Sequence, residues 1–355
     1  MSPAAPEEEA SSGPAFTIDA ESAGMRLDKA LVVLVPEGLR GRRRRIEAGG
    51  VLLNGATCRE PARRLRAGDA LALVPQEPQP EPRQDLARLL GRQGDFCFLF
   101  KGAGLHSAAL PGKSGDSLEA RLPALCAPVL GPGERPELLQ RLDLGTSGLV
   151  CAALTPAAAG AFRAAEAAGQ CEKRYLALLT GALEGPVTAR RRLDTNDRRT
   201  TRPLDEDAGP LRRTDFLPLH VFEGEACARL SSLLGVARAE APPALTLAAC
   251  RIRRGARHQI RAHAAALGRP LLGDTQYGIP TEAEKSTPAA PRFFLHHGLL
   301  AWPGERCSVA PPWPWLEANL PPEARRRVRA WLRGKKGLRE PAEEENPASS
   351  LLFAL

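Results

Sequence analysis

The sequence predicts an α+β chain in two parts, on three observations. Short helical and strand-like stretches alternate between residues 16 and 74, a proline-rich segment follows, and a new apolar strand opens at Phe96. Composition agrees. Hydrophobic residues make up 43% of the 355, enough for a real core. Gly and Pro number 33 each and aromatics reach only 5%, which favours a Leu, Val and Ala core cut by many turns over long helical bundles. The boundaries that follow are a disordered tail over 1–15, a small domain over 16–74, a linker over 75–90, a large domain over 91–318, and a basic helix with a tail over 319–355.

Each element has a local cause. Residues 1–15 are low in hydrophobicity and rich in charge and proline, as disordered segments are. They lack the basic start and apolar stretch of a signal peptide, and no run approaches the length of a membrane span, so a soluble, cytoplasmic protein is expected. In "MRLDKALVVLVPEGLRGRRRRIEAGG", Leu27, Ala30, Leu31 and Leu34 have helical spacing and Pro36 and Gly38 break it. Arg42 to Ala48 then form a second, basic helix ended by Gly49 and Gly50. Val51 to Leu53 predict a strand into an Asn54-Gly55 turn, and Ala70 to Val74 a last strand after Gly68-Asp69. Pro75, Pro78, Pro80 and Pro82 stiffen the linker. Beyond it, "DFCFLF" gives the apolar strand Phe96 to Phe100. Near the end, "PPEARRRVRAWLRGKKGLREP" predicts a basic amphipathic helix with Val328, Trp331 and Leu332 on one side, docking on the domain or on a partner, and "AEEENPASSLLFAL" a loose tail.

The balance is basic, 49 Lys plus Arg against 41 Asp plus Glu for a net charge of +8, which makes nucleic acid a leading partner class. The excess of Arg over Lys reflects gene base composition as readily as RNA recognition. Eight cysteines show no Cys-x-x-Cys pair and no regular spacing, so reduced, mostly buried thiols are expected rather than a zinc site or a disulfide framework. His258 and His263 stand five apart, off a common helical face, and no cysteine or carboxylate completes a metal set with them. His296 and His297 fall in a core strand.

The tripeptide Arg-Leu-Asp occurs three times, at 26–28, 141–143 and 192–194. The first opens a helix, where Asp is favoured by free amides and the helix dipole, and reads as a cap. The second, in "LLQRLDLGTSGLVCAAL", lies on a short connection between two buried strands. There Gly145 and Gly148 permit tight backbone geometry, and Thr146 and Ser147 are placed to bond Asp143. Such an Asp either organises its turn or does chemistry. The third sits in the polar, basic "ARRRLDTNDRRTTRP" and reads as a surface strand or loop.

Two resemblances bear on the choice. The basic helix, "GGVLLNG" and "RAGDALAL", opened by "RLDKAL", resemble the small RNA-binding domain named after ribosomal protein S-four, which implies that Arg42, Arg43, Arg44 and Arg45 face RNA phosphates. "RLDLGTSGL" resembles the central motif of the RluA family of pseudouridine synthases, with Gln140 where the family has His. "CEKRYLALLTG", "RRGARHQIRAHAAALGRPLLGDTQYG" and "FFLHHGLLAWP" then resemble the family's later motifs in order, over roughly residues 93–310. That likeness implies a mixed, largely antiparallel sheet flanked by helices. It also implies isomerisation of uridine in RNA with no metal or organic cofactor; the resemblance of the N-terminal domain favours ribosomal over transfer RNA as the substrate, and a monomer is expected.

The same resemblance assigns roles. Asp143 is the essential carboxylate, either attacking ribose C1′ or removing the C2′ proton. Tyr175 packs on the flipped uracil, and Arg141 inserts near the displaced base or holds RNA. A carboxylate that must stay ionised in a partly dry pocket needs an adjacent cation. "GARHQIR" puts Ala256 where the family has a basic residue, so Arg257 is the expected partner, with Arg261, otherwise counted among the RNA-binding residues, and Arg254 in reserve. The main rival is a non-catalytic RNA-binding or ribosome-assembly factor, for which Gln140 and Ala256 speak and against which Asp143, Thr146, Ser147 and Tyr175 stand. A DNA-binding protein is more distant, since no helix-turn-helix or zinc signature is present.

Overall fold

The computed structural model describes residues 15–35, 38–47, 49–73, 86–109, 116–197, 199–236, 240–278 and 293–334. The expected N-terminal tail up to residue 14, the proline-rich stretch 74–85 and the C-terminal tail after 334 lie outside the described residues. The chain divides into two compact units, the first running to Arg83 and the second beginning at Gln84.

The first unit holds β1 (Ala15–Thr17), α1 (Leu27–Ala30), α2 (Leu39–Glu47), β2 (Val51–Leu53), β3 (Ala56–Thr57) and β4 (Ala70–Leu73). Its antiparallel sheet runs β1-β4-β2-β3. Asn54 and Gly55 both take positive φ, 51° and 79°, the backbone of a tight hairpin turn joining β2 to β3. Leu27, Leu31, Ile46, Val51, Leu65 and Leu71 form the core under the sheet, each contributing about 1.5–3 kcal/mol when fully withdrawn from water.

Asp28 departs from the expected cap. No side chain caps α1. The Asp28 carboxylate is fully buried and accepts from Arg26 Nε and Nη2 (3.1 and 2.8 Å) and from Arg43 Nε (2.6 Å), while Arg42 Nε donates to its backbone carbonyl (2.8 Å). Hydrogen bonding from Arg26, opposed by burial and helped by Arg43, holds the Asp28 carboxyl down at about 2. Two members of the arginine run on α2 thus have internal work, and Arg44 is the exposed one.

The second unit is built on one large sheet. Its elements are β5 (Ala87–Gln93), β6 (Phe96–Lys101), α3 (Leu118–Cys126), β7 (Glu137–Leu138), β8 (Ser147–Ala153), α4 (Pro156–Ala167), β9 (Glu172–Thr180), β10 (Val187–Ala189), β11 (Arg191–Asp194), β12 (Arg202–Asp207), β13 (Thr214–Glu223), α5 (Gly224–Leu233), β14 (Ala244–Ile252), α6 (Gln259–Ala266), β15 (Leu295–Trp302), β16 (Glu305–Ser308), α7 (Pro314–Asn319) and α8 (Pro322–Leu332). Residues 87–90, read from sequence as the end of the linker, are the start of β5. The strand order is β10-β13-β14-β9-β15-β8-β6-β5, with β16 beside β15 and β7 beside β8. Every pairing is antiparallel except β15 with β8, so the sheet is mixed and largely antiparallel, as expected.

Strand periodicity divides the core between the two faces. Along β9, Tyr175, Ala177 and Leu179 join one cluster with α3 and α6, while Leu176 and Leu178 join another with α5 and α8. Along β8, Val150 and Ala152 share the first face, and Leu149, Cys151 and Ala153 pack on the opposite one with Phe162 of α4. The predicted C-terminal helix docks on the sheet: Val328 and Trp331 of α8 are buried, and Trp331 Nε1 donates to the Tyr175 carbonyl (3.0 Å). Six of the eight cysteines are buried and all are free thiols.

Candidate active site

Asp143 lies on the α3–α6 face of the sheet, in the turn between β7 and β8. The turn is anchored from three directions. The Thr146 N–H donates to the Asp143 carbonyl (3.0 Å). Ser107 Oγ accepts from the Leu142 N–H (2.9 Å) and donates to the Leu142 carbonyl (2.7 Å). Lys101, fully buried at the end of β6, donates from Nζ to the carbonyls of Gly102 (2.9 Å) and Leu105 (2.8 Å) and reaches that of Leu144 (3.5 Å). Burial pushes the Lys101 ammonium down to about 7, with Asp143 pulling the other way. Gly148 is required where the turn enters β8: its φ is +127°, and a Cβ there would run into the His297 backbone. The hydroxyls expected to bond Asp143 do not. Ser147 Oγ is 3.0 Å from His296 Nδ1, and Thr146 Oγ1 is buried without a partner.

The carboxylate itself is about a fifth exposed and meets two groups from the start of α6. Arg261 Nη1 is 3.3 Å from Oδ2, and His258 Nε2 is 3.9 Å from Oδ1. Arg261 is fixed by a second carboxylate: its Nε and Nη2 pair with Asp274 at 2.7 and 2.8 Å, and Nη2 also donates to Gln276 Oε1 (3.0 Å). The guanidinium lies over the rings of Phe293 (4.4 Å) and Tyr277 (4.9 Å). Burial opposes its charge, but Asp274 and then Asp143 more than offset this and raise its pKa. His258 is shifted down, chiefly by burial, with Asp143 opposing. Its Nδ1 is 2.9 Å from the Tyr277 hydroxyl.

Tyr175 is buried on β9. Its ring stacks on that of its cross-strand neighbour His297, centroids 4.5 Å apart and planes 20° from parallel. Burial, followed by the nearby Asp143, pushes the phenol well above its ordinary range, so it is a neutral face rather than a phenolate. Arg141, two residues before the carboxylate, is exposed.

Arg257 is not the partner of Asp143. Residues 253–258 form a turn rather than a strand, and His258 adopts the left-handed conformation (φ 53°) as the chain enters α6. Arg257 leaves this turn toward the β11–β12 loop, where Nη2 donates to the carbonyls of Thr195 and Thr200 (2.9 Å each) and of Asp197. Of the two reserves, Arg261, also counted among the RNA contacts from sequence, is the buried cation beside Asp143, and Arg254 is exposed. Asp194, in the third tripeptide, accepts from the Asn196 N–H (2.9 Å) in that same loop. The hairpin below it is laced by Arg192 with Glu206 (2.7 Å) and Arg191 with Asp205 (3.3 Å).

Sequence reasoning missed the places of His258, Asp274, Gln276 and Lys101. A signal for the first was present. His258 and Arg261 are three apart, a spacing that puts two side chains on one helical face, whereas attention went to His258 and His263, five apart. His263 is a structural residue, bonded to Thr214 Oγ1 (2.8 Å) and the Arg191 carbonyl (2.8 Å).

Known proteins carry the same pattern. A family model described as RNA pseudouridylate synthase matches residues 101–266, from Lys101 to the end of α6. The chain is 30% identical over 270 residues to ribosomal large subunit pseudouridine synthase D of Xylella fastidiosa, covering 74% of each protein. The chain belongs to the RNA pseudouridine synthases. Another synthase named ribosomal large subunit pseudouridine synthase D, from Zymomonas mobilis, is 27% identical over 294 residues, 80% of this chain and 83% of that one. Among solved structures, human RNA pseudouridylate synthase domain containing 1 superposes with a TM-score of 0.50 at 23% identity, over 72% of this chain and 98% of the other, and shares the fold. Membership makes the protein an RNA-modifying isomerase and sets aside the DNA-binding reading. Among the described residues, no helix is long and apolar enough to cross a membrane.

Proposed function

We propose that this synthase converts uridine to pseudouridine in large-subunit ribosomal RNA, with Asp143 as the essential carboxylate. The observation that carries the reading is the pairing of Asp143 Oδ2 with the buried Arg261 at 3.3 Å, while the carboxylate stays partly open. The relatives named for large-subunit RNA supply the substrate class.

In the reaction the bond from ribose C1′ to N1 breaks, the detached uracil turns, and C1′ joins C5. The proton leaves C5 and N1 gains one, so nothing is oxidised and no atom is added. Asp143 acts on the ribose as an anion, by attack at C1′ or by removing the C2′ proton, and Arg261 stabilises that anion. The flat, neutral ring of Tyr175 supports the loosened base by stacking. Extruding a base from folded RNA costs a few kcal/mol, which Arg141 and the basic first unit, read as an S-four-type RNA-binding domain, help to offset by contacts to the strand. The enzyme works as a cytoplasmic monomer.

The test is tritium release from in vitro transcribed large-subunit ribosomal RNA labelled at uridine C5, with no metal or cofactor added. Wild type is expected to release label, and Asp143→Asn to bind the RNA with near wild-type affinity while releasing none. Release by Asp143→Asn at a comparable rate would remove the carboxylate from the mechanism. Release from transfer RNA alone would move the substrate.

A further inference from the structure

Two arms run from the loop between β11 and β12 toward the two oxygens of Asp143, one hydrogen-bonded throughout and one hydrogen-bonded as far as His258. In one, Gln276 Nε2 donates to the Arg199 carbonyl (2.5 Å), and Gln276 Oε1 accepts from Arg261, which holds Oδ2. In the other, the Thr201 N–H donates to the Tyr277 hydroxyl (2.8 Å), that hydroxyl is 2.9 Å from His258 Nδ1, and His258 Nε2 faces Oδ1 at 3.9 Å. With its oxygen accepting from Thr201, the phenol has one hydrogen to give, and the acceptor set against it is His258 Nδ1. A neutral imidazole that accepts at Nδ1 carries its hydrogen on Nε2, the nitrogen turned to Asp143.

We infer that His258 is a positioning residue for the carboxylate: Tyr277 fixes it as the Nε2–H tautomer, and that N–H orients Asp143 Oδ1 while Arg261 holds Oδ2. The inference rests on the reading of Asp143 as the essential carboxylate. At 3.9 Å the contact is longer than a hydrogen bond, and closure around RNA or one bridging water completes it, as happens at sites that tighten only with substrate bound. The charges facing the ring are Asp143 and Asp274, which favour its protonation, and Arg261 and Arg257, which oppose it, while burial keeps it neutral. The phenol adds to that side, because Nδ1 must be unprotonated to accept from it. The anchoring of Arg257 on the Thr195, Asp197 and Thr200 carbonyls holds the loop from which both arms start.

Tyr277→Phe separates this from a packing role. Single-turnover tritium release is measured against pH with the same labelled ribosomal RNA transcript, and RNA affinity by filter binding. The variant is expected to bind RNA within about twofold of wild type and to react about tenfold more slowly near neutral pH, the size of effect one lost hydrogen bond produces. Its acidic limb should move up by about one pH unit, because Nδ1 then protonates without losing a donor and the imidazolium captures Asp143. A limb that overlays wild type overturns the inference, whether or not the rate falls uniformly. Asp143→Asn alongside distinguishes the two readings: activity there defeats the carboxylate assignment, whereas an inactive Asp143→Asn with an unshifted Tyr277→Phe defeats the relay alone. Nitrogen NMR of histidine-labelled wild type decides the matter independently of that variant's folding. With His258 assigned by the resonances lost in His258→Gln, a protonated Nε2 and bare Nδ1 are expected, and the opposite tautomer overturns the inference.

Discussion

Asp28 and Asp143 each follow Arg-Leu, and they end in opposite surroundings. Asp28 is fully buried, and two arginines at 2.6–3.1 Å occupy both of its oxygens. Asp143 is about a fifth exposed and meets a single arginine at 3.3 Å, which is itself bound more closely, at 2.7 and 2.8 Å, to Asp274. A carboxylate saturated by close partners is spent on folding. One held by its backbone, neutralised by a cation that belongs mostly to another acid, keeps an oxygen for a substrate. Reactivity here lies in what the surroundings leave unsatisfied, and the tripeptide itself carries none of that information.

The largest expected effect tests the shared cation. Arg261→Met leaves Asp143 and Asp274 facing each other without a counter-charge, and breaking a buried pair in this way costs about 3–5 kcal/mol. Thermal denaturation should show that loss and tritium release should vanish. Arg261→Lys keeps the charge but cannot match both Asp274 oxygens, so it is expected to fold and to lose about one to two orders of magnitude in rate. A fully stable, active Arg261→Met would break the comparison at its centre.

Asp28→Asn comes next. It is expected to destabilise the first unit by about 1–2 kcal/mol, discounted because Arg26 and Arg43 are themselves partly exposed, and to leave the rate at saturating RNA within about twofold. The pH dependence has a definite sign. A carboxyl lowered from 3.8 to about 2 in the folded state contributes its full stability above about pH 4 and loses it as pH falls toward 2. Acid titration of unfolding should therefore show a limb between those values in wild type that is absent from Asp28→Asn. A limb of the same size in both would transfer the effect to other carboxylates.

Local features were legible where one residue's backbone preference or strand alternation decides them. Asn54-Gly55 demanded a hairpin, the apolar run 96–100 a buried strand, and Val328 with Trp331 an inward helix face. The order of motifs carried Asp143 and Tyr175 over from the resembling family as candidate site residues. What sequence could not supply was the geometry of a turn. Ala256 stands where the resembling family has a basic residue, so Arg257, next in the chain, was the expected cation, an assignment that needed an irregular backbone there. The left-handed His258 reverses the chain there, so the arginine one turn into α6 reaches the carboxylate and Arg257 goes to the hairpin loop. Nothing in the sequence singles out His258 as the residue that takes this conformation. The destination of Arg43 was equally hidden: a run of arginines looks uniform until one finds a buried carboxylate.

That displaced arginine gives a smaller effect. Arg257→Ala removes the donor to the carbonyls of Thr195, Asp197 and Thr200, so hydrogen exchange of the 195–201 amides should quicken. RNA affinity should weaken several-fold, while global stability changes by no more than about 1 kcal/mol. Unchanged exchange in that loop would show that the clamp is dispensable.

The smallest effect is expected at the third tripeptide. Asp194 accepts one backbone N–H, from Asn196, in a loop open to water. Asparagine keeps that acceptor and removes only a solvated charge, so Asp194→Asn should alter stability by less than about 0.5 kcal/mol and leave tritium release unchanged. Removing a negative charge beside Arg199 and Arg202 favours an RNA backbone, so any change in affinity should be a slight gain that shrinks with added salt. If Asp194→Asn were instead inactive while folded, the assignment of the chemistry to the one tripeptide carboxylate held beside a buried cation would fail at the point where it asks least of the molecule.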